Sequence, residues 1–259
     1  MRQSVRRWLF CTGAVAAVGA MACASISTAS AARTTKSAAA AYVPPTENFN
    51  FGARGAAVRS VQRRLNQLHY YAGKADGIYG QDTAEAVWAF KEAQGLPMNA
   101  ATNTLVTYKF RRDLIHPRMP RVLVPKGGGN RIEINQSDEL LVLYRKNKVR
   151  LILHVSSGGN CLVDQGCGWI TPDGSYKALA FEQGWVHVQL GEMYNPVFFI
   201  GYEYAIHGDV PVPWYPDSHG CVRIWMDAAN WFHNDVTVGG SHATRIYVRG
   251  TAPYNSLAN

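Results

Sequence analysis

The chain has 259 residues, 47% hydrophobic and 17% charged. That balance excludes a disordered polymer and suffices for one large or two modest globular domains. The net charge of +8 is moderate and spread out, and no nucleic-acid partner is expected.

The first 36 residues differ in character from the rest. Arg2, Arg6 and Arg7 form a basic start, residues 8–24 an apolar run, and Ala29-Ser30-Ala31 a small-residue cleavage pattern. The apolar run is short and ends in that pattern, which predicts a secretory signal peptide over 1–32 and no transmembrane anchor. Arg6-Arg7 ahead of Trp8-Leu9-Phe10 leaves a twin-arginine route open. Cys23 has Ala20 three residues before it, where a lipoprotein signal carries a larger aliphatic side chain, so simple secretion is preferred. An Ala/Ser/Thr-rich stretch over 33–45 then reads as a flexible tether.

A helical module is expected over 46–115. Val58, Val61, Leu65 and Leu68 recur at three and four residues, the face of one helix. Tyr70-Tyr71-Ala72-Gly73 leads into the turn-rich Asp76-Gly77-Ile78-Tyr79-Gly80. Asp82 with Glu85 reads as a capping box for a second helix that buries Ala86, Val87 and Phe90 and stops at Gly95. Leu105, Tyr108 and Leu114 suggest a third helix. The run GARGAAVRSVQRRLNQLHYYAGKADGIYGQDTAEAVWAFKEAQGL resembles the three-helix peptidoglycan-binding domain that accompanies many wall enzymes. The resemblance rests on the Gly-x-Arg-Gly start, Gln62 and Leu65, Asp76-Gly77-x-x-Gly80, and Thr83. It departs at Met98-Asn99-Ala100-Ala101, where a Gly-containing turn is usual. Arg59, Arg63, Arg64 and Lys74 can meet anionic wall polymers, although such charges are more often a solvated face.

Residues 116–129 are rich in Pro, Gly and basic side chains and mark a linker. After them the period changes to two, over a domain expected at 130–250 with a tail at 251–259. Residues 131–135 alternate, and 140–144 with 149–156 flank a turn at Lys146-Asn147-Lys148 as a hairpin. Further strands are expected at 185–190, 197–200, 205–207 and 245–248, a turn at Thr171-Pro172-Asp173-Gly174, and a helix at 227–233. The fold class is therefore a small three-helix bundle followed by a mostly antiparallel β-rich domain.

Loss of the signal peptide removes Cys11 and Cys23 and leaves Cys161, Cys167 and Cys221. Cys161 and Cys167 flank a polar, Gly-containing loop, and in an exported protein they predict a disulfide. A ring so small stabilises by only about 2 kcal/mol, so its role would be to shape the loop. A zinc site from Cys161, Cys167, His207 and His219 is the competing reading. The C-x5-C spacing lacks the short knuckle usual for zinc, so no metal is expected.

Cys221 is left without a partner, within Ser218-His219-Gly220-Cys221-Val222-Arg223, and His207 precedes it in Ile206-His207-Gly208. An imidazole or a positive field that favours the thiolate turns such a cysteine into a nucleophile, whereas free cysteines are often simply buried. The stretch IHGDVPVPWYPDSHGCVRIW resembles the catalytic signature of the L,D-transpeptidase (YkuD-like) family. The resemblance implies Cys221 as nucleophile and His207 as general base. It implies His219, Gly220 and Cys221 as the turn whose backbone N–H groups form the oxyanion hole. Ser218 and Arg223 would then support the turn or meet a substrate carboxylate. The loop from His207 to Ser218 is short for the family. His154, His187, His233 and His242 are read as bystanders.

The family implies a wall enzyme outside the cytoplasm, with no cofactor, that takes a donor tetrapeptide stem and an acceptor stem of peptidoglycan. It would form 3→3 cross-links through a cysteine thioester, and carbapenems would be its inhibitors. Water as acceptor would make the same site an L,D-carboxypeptidase or endopeptidase. A papain-like endopeptidase also uses Cys and His, but there the cysteine comes first in the chain. A non-catalytic wall-binding protein is the remaining alternative.

Overall fold

A computed structural model describes residues 42–159 and 169–253. The expected signal peptide, most of the tether, both cysteines of the expected disulfide and residues 254–259 lie outside the described residues. Helix α1 (Ala56–Gln67) buries Val58, Val61 and Leu65, the stripe its spacing predicts. Gln62 on the same face is buried too, because it holds the turn ahead of the second helix. Its amide donates to Ile78 O and Thr83 Oγ1, each at 2.9 Å, and accepts from the Gly77 N–H at 2.9 Å.

Helix α2 (Gln81–Gln94) begins one residue before Asp82, with Gly80 at the N-cap and no side-chain cap. The expected capping box is absent, because Asp82 already lies inside the first turn. Its carboxyl instead accepts from Trp225 Nε1 at 2.8 Å, and Glu85 Oε1 accepts from Gln81 Nε2 at 2.9 Å. The helix stops where expected, at Gly95 with φ 65°. Helix α3 (Tyr108–Asp113) is capped by Thr107, whose hydroxyl accepts from the Phe110 N–H at 3.2 Å.

Among the described residues ten strands follow: β1 (Arg131–Asn135), β2 (Leu140–Arg145), β3 (Lys148–His154), β4 (Gly174–Lys177), β5 (Ala180–Phe181), β6 (Trp185–Val188), β7 (Gly191–Ile200), β8 (Tyr204–Asp209), β9 (Val222–Trp225) and β10 (Arg245–Arg249). Helix α4 (Met226–Phe232) sits between the last two. One sheet runs β3-β2-β1-β10-β4, and the other runs β5-β7-β8-β9 with β6 also on β7. All neighbours are antiparallel except β1 with β10 and β8 with β9. Strands β4, β5 and β9 carry no alternation long enough to be seen in advance, and β7 extends well ahead of the expected 197–200.

The uninterrupted apolar run at 140–144 has a simple cause: β2 is buried on both faces. Leu141 and Leu143 face the other sheet, packing with Val197, Ile206, Val222, Ile224 and Phe232. Leu140, Val142 and Tyr144 face the helices, with Leu65, Val87 and Phe90. The first sheet is therefore the shared wall between the helical region and the second sheet.

Candidate active site

Strands β8 and β9 place the chemistry. Their parallel register sets Ile206 beside Val222 and His207 beside Arg223. Neighbours in register share a face and alternate along the strand, so Ile206, Val222 and Ile224 enter the core. His207, Cys221 and Arg223 take the opposite face, onto a cavity of about 650 Å³. Trp185 and Leu190 of the β6–β7 hairpin, Met193, Tyr202 and Trp169 wall it.

The turn before Cys221 is held by side chains. Ser218 Oγ accepts from the Gly220 N–H at 3.0 Å and donates to the Cys221 carbonyl at 2.5 Å. Gly220 has φ 117°, and a Cβ there would lie 2.6 Å from the Tyr204 ring and 3.0 Å from Ile170 O. Only glycine fits. The Thr171 hydroxyl donates to the Gly220 carbonyl at 2.8 Å and accepts from the Gly158 N–H at 2.9 Å. The threonine read only as part of a turn thus fixes the site. Arg223 Nε meets Asp209 Oδ2 at 2.9 Å, and its Nη1 reaches Asp217 Oδ2 at 3.6 Å. Sequence reasoning missed both aspartates; Asp209, two residues after His207 in a strand, was the more legible.

Cys221 Sγ lies 3.6 Å from the Glu203 carbonyl and 3.9 Å from Met193 Sδ. Burial pushes its thiol above the ordinary range, against smaller downward pulls from the Ala205 N–H and Arg223. His207 is buried, and loss of solvent pushes its imidazole down to about 4 despite the Gly208 carbonyl beside it. A resting thiolate is therefore not favoured: burial penalises the charged form of each partner. His207 Nδ1 lies 2.9 Å from Gly208 O. A carbonyl only accepts, so this contact assigns the hydrogen to Nδ1 and leaves the Nε2 lone pair as the basic position. His219 is exposed, edge-on to Trp169 with ring centroids 5.1 Å apart.

Residues 129–248 match the L,D-transpeptidase catalytic domain (YkuD) family, and residues 54–102 match a peptidoglycan binding domain. An L,D-transpeptidase from Xylanimonas cellulosilytica is 31% identical, with TM-score 0.67, covering 80% of this chain and 100% of that one. The chain belongs to the L,D-transpeptidase family. A structure of the family from Stackebrandtia nassauensis is 17% identical, with TM-score 0.47 and coverage of 82% and 98%. L,D-transpeptidase 1 of Mycobacterium tuberculosis is 21% identical, with TM-score 0.36 and coverage of 47% and 62%. No curated protein matches the chain.

This L,D-transpeptidase thus joins a peptidoglycan-binding helical region to a peptidoglycan-acting catalytic domain. Among the described residues, no helix is long and apolar enough to cross a membrane. Nor does any group of three or more His, Cys, Asp or Glu among them stand ready for a metal ion. Of the expected bystanders, His187 pairs with Glu192 at 2.8 Å and His233 stacks on Phe181. His154 behaves otherwise, with both ring nitrogens engaged.

Proposed function

We propose that this L,D-transpeptidase forms 3→3 peptidoglycan cross-links through a thioester on Cys221. One observation carries the reading: the register of β8 and β9 puts His207 and Cys221 on one face of one cavity. His207 Nε2 takes the thiol proton as Sγ attacks the amide carbonyl between the diamino acid and the terminal D-Ala of the donor stem. The proton passes to the leaving amine, D-Ala departs, and the acyl group remains on sulfur. The side-chain amine of an acceptor stem then attacks the thioester, the amide forms, and the thiol is regenerated.

Both partners are neutral at rest, so the proton moves during attack rather than before it. The Gly220 N–H is engaged by Ser218 Oγ, which makes Gly220 a turn support. The oxyanion is assigned to the backbone N–H of Cys221, with His219 at the exposed edge of the turn. A well-placed donor of this kind contributes about 3 kcal/mol to the transition state. The proposal also includes export, cell-wall association, the domain limits given above and a Cys161–Cys167 disulfide.

The test is mass spectrometry of muropeptides after incubation with purified protein. A 3→3 dimer with loss of D-Ala is expected from the wild type and none from Cys221→Ala. Tripeptide stems without dimer would favour the carboxypeptidase. A carbapenem, as a strained acyl donor, should leave one stoichiometric adduct on the Cys221 peptide. Absence of both product and adduct would favour a wall-binding protein without catalysis.

A further inference from the structure

His154 ends β3 with both ring nitrogens engaged. Nδ1 lies 2.7 Å from Glu92 Oε1 on α2, and Nε2 lies 2.9 Å from the carbonyl oxygen of Pro213. The two side chains are 0% and 5% exposed. Pro213 belongs to the loop that runs from β8 to Ser218. Its carbonyl only accepts, so Nε2 must carry a hydrogen, and one proton lies between Nδ1 and the Glu92 carboxyl.

The residues after His154 hold the same loop further along. Ser156 Oγ donates to the Tyr215 carbonyl at 2.8 Å and accepts from the Asp217 N–H at 3.0 Å. The Ser157 carbonyl accepts from the Ser218 N–H at 3.1 Å. The loop ahead of the nucleophile therefore rests on residues 154–157, and Glu92 of the helical region grips the first of them.

We infer that His154 and Glu92 are positioning residues for the Cys221 turn, acting through a carboxyl–imidazole–carbonyl chain from α2 to the loop that ends in Ser218. The role in catalysis rests on the acyl-transfer reading above. Its consequence is that the helical region does more than hold the wall: one of its carboxyls sets the loop of the catalytic half.

The shared proton gives the chain a pH dependence. Glu85 of α2 and Glu139 of the β1–β2 turn act on His154, and Asp138 and Tyr70 lie within electrostatic reach of Glu92. Burial, with Asp138 adding to it, holds the Glu92 carboxyl well above its ordinary range. The proton stays in the pair at neutral pH. Its loss in alkali leaves a carboxylate facing an imidazole lone pair, and the chain to Pro213 loosens.

The test follows hydrogen exchange at the Asp217 and Ser218 amides, with kcat and KM on a tetrapeptide donor, in the full chain. His154→Phe keeps a ring against Trp88, edge-on to it at 5.3 Å, but cannot donate to Pro213. Exchange at both amides should rise about tenfold, and kcat should fall about tenfold with KM nearly unchanged. His154→Gln, which can donate again, should recover most of both. Corrected for the base catalysis that speeds every amide, wild-type protection at these two amides should fall in alkali, and Glu92→Gln, with no proton to lose, should abolish that fall.

Wild-type exchange and kcat in His154→Phe would overturn the inference while leaving acyl transfer intact. The expected exchange pattern in a wild type that makes no product would sink acyl transfer and leave the positioning intact. If His154→Phe fails to fold, Glu92→Gln decides alone, and an alkaline loss of protection equal to that of the wild type overturns the inference.

Discussion

Arg223 and Asp209 form an ion pair between neighbouring parallel strands, Nε to Oδ2 at 2.9 Å, on the face that carries His207 and Cys221. The guanidinium also reaches Asp217 just before the nucleophile turn. Its charge pulls both the His207 imidazole and the Cys221 thiol downward. Arg223→Ala should therefore move both the acid limb of turnover and the alkaline limb of thiol labelling to higher pH, with kcat down at least about tenfold. Arg223→Lys should keep part of the pH effect but lose the two-aspartate fork. Unmoved limbs in Arg223→Ala would mean that the pair is only a structural tie.

Gly220→Ala tests the turn. A methyl group would strike the Tyr204 ring, and φ 117° is a conformation that only glycine takes readily. The strain is of order 1–3 kcal/mol, so the variant should melt several degrees lower and lose nearly all acyl transfer. Wild-type adduct formation in a folded Gly220→Ala protein would show that the turn relaxes without consequence.

The pH dependence of Cys221 follows from its burial. The thiol is pushed up, so labelling by iodoacetamide at pH 7 should be slow and should climb about tenfold per pH unit towards pH 9. Turnover differs, because His207 is already a free base above about 4 and the acid limb of kcat/KM should lie there. Rapid stoichiometric labelling at pH 6 would instead establish a resting thiolate.

Buried Glu139 carries a stability prediction. Its carboxyl accepts from the Ser157 N–H at 2.6 Å and from the Ser157 hydroxyl at 2.5 Å, and burial pushes it up to about 8. The folded state then keeps a proton that the unfolded chain releases near pH 4.3, so stability falls as pH rises between the two values. Glu85, at about 7, and Asp82, at about 6, act in the same sense at lower pH. His207, pushed down to about 4, acts in the opposite sense, gaining stability only up to about pH 6.5. Between pH 7 and 8 Glu139 contributes alongside the proton held by the Glu92–His154 pair, and Glu139→Gln should remove its own share of the slope there, up to about 1.4 kcal/mol per pH unit. Denaturant melts at the two pH values measure this, and an unchanged slope would place the proton elsewhere.

The linear chain determined much of this protein. Spacing of three and four residues at Val58, Val61 and Leu65 fixed α1, Gly95 stopped α2, and period two announced β1. The compact motif around Cys221, with His207 ahead of it, pointed to acyl transfer through its resemblance to the L,D-transpeptidase signature, whose residues are close in sequence. Longer-range relations were not legible. Asp82 reads as a cap until Trp225, far along the chain, claims its carboxyl, and Thr171 reads as a turn until the Gly220 carbonyl lies against it. His154 looks idle until folding brings Glu92 and Pro213 to its two nitrogens. The charge state of Cys221 and His207 was likewise decided by burial, a property of the assembled sheets that no local spacing records. Local propensity and covalent spacing act within a turn or two, whereas desolvation and hydrogen-bond partners depend on which distant segments share a face.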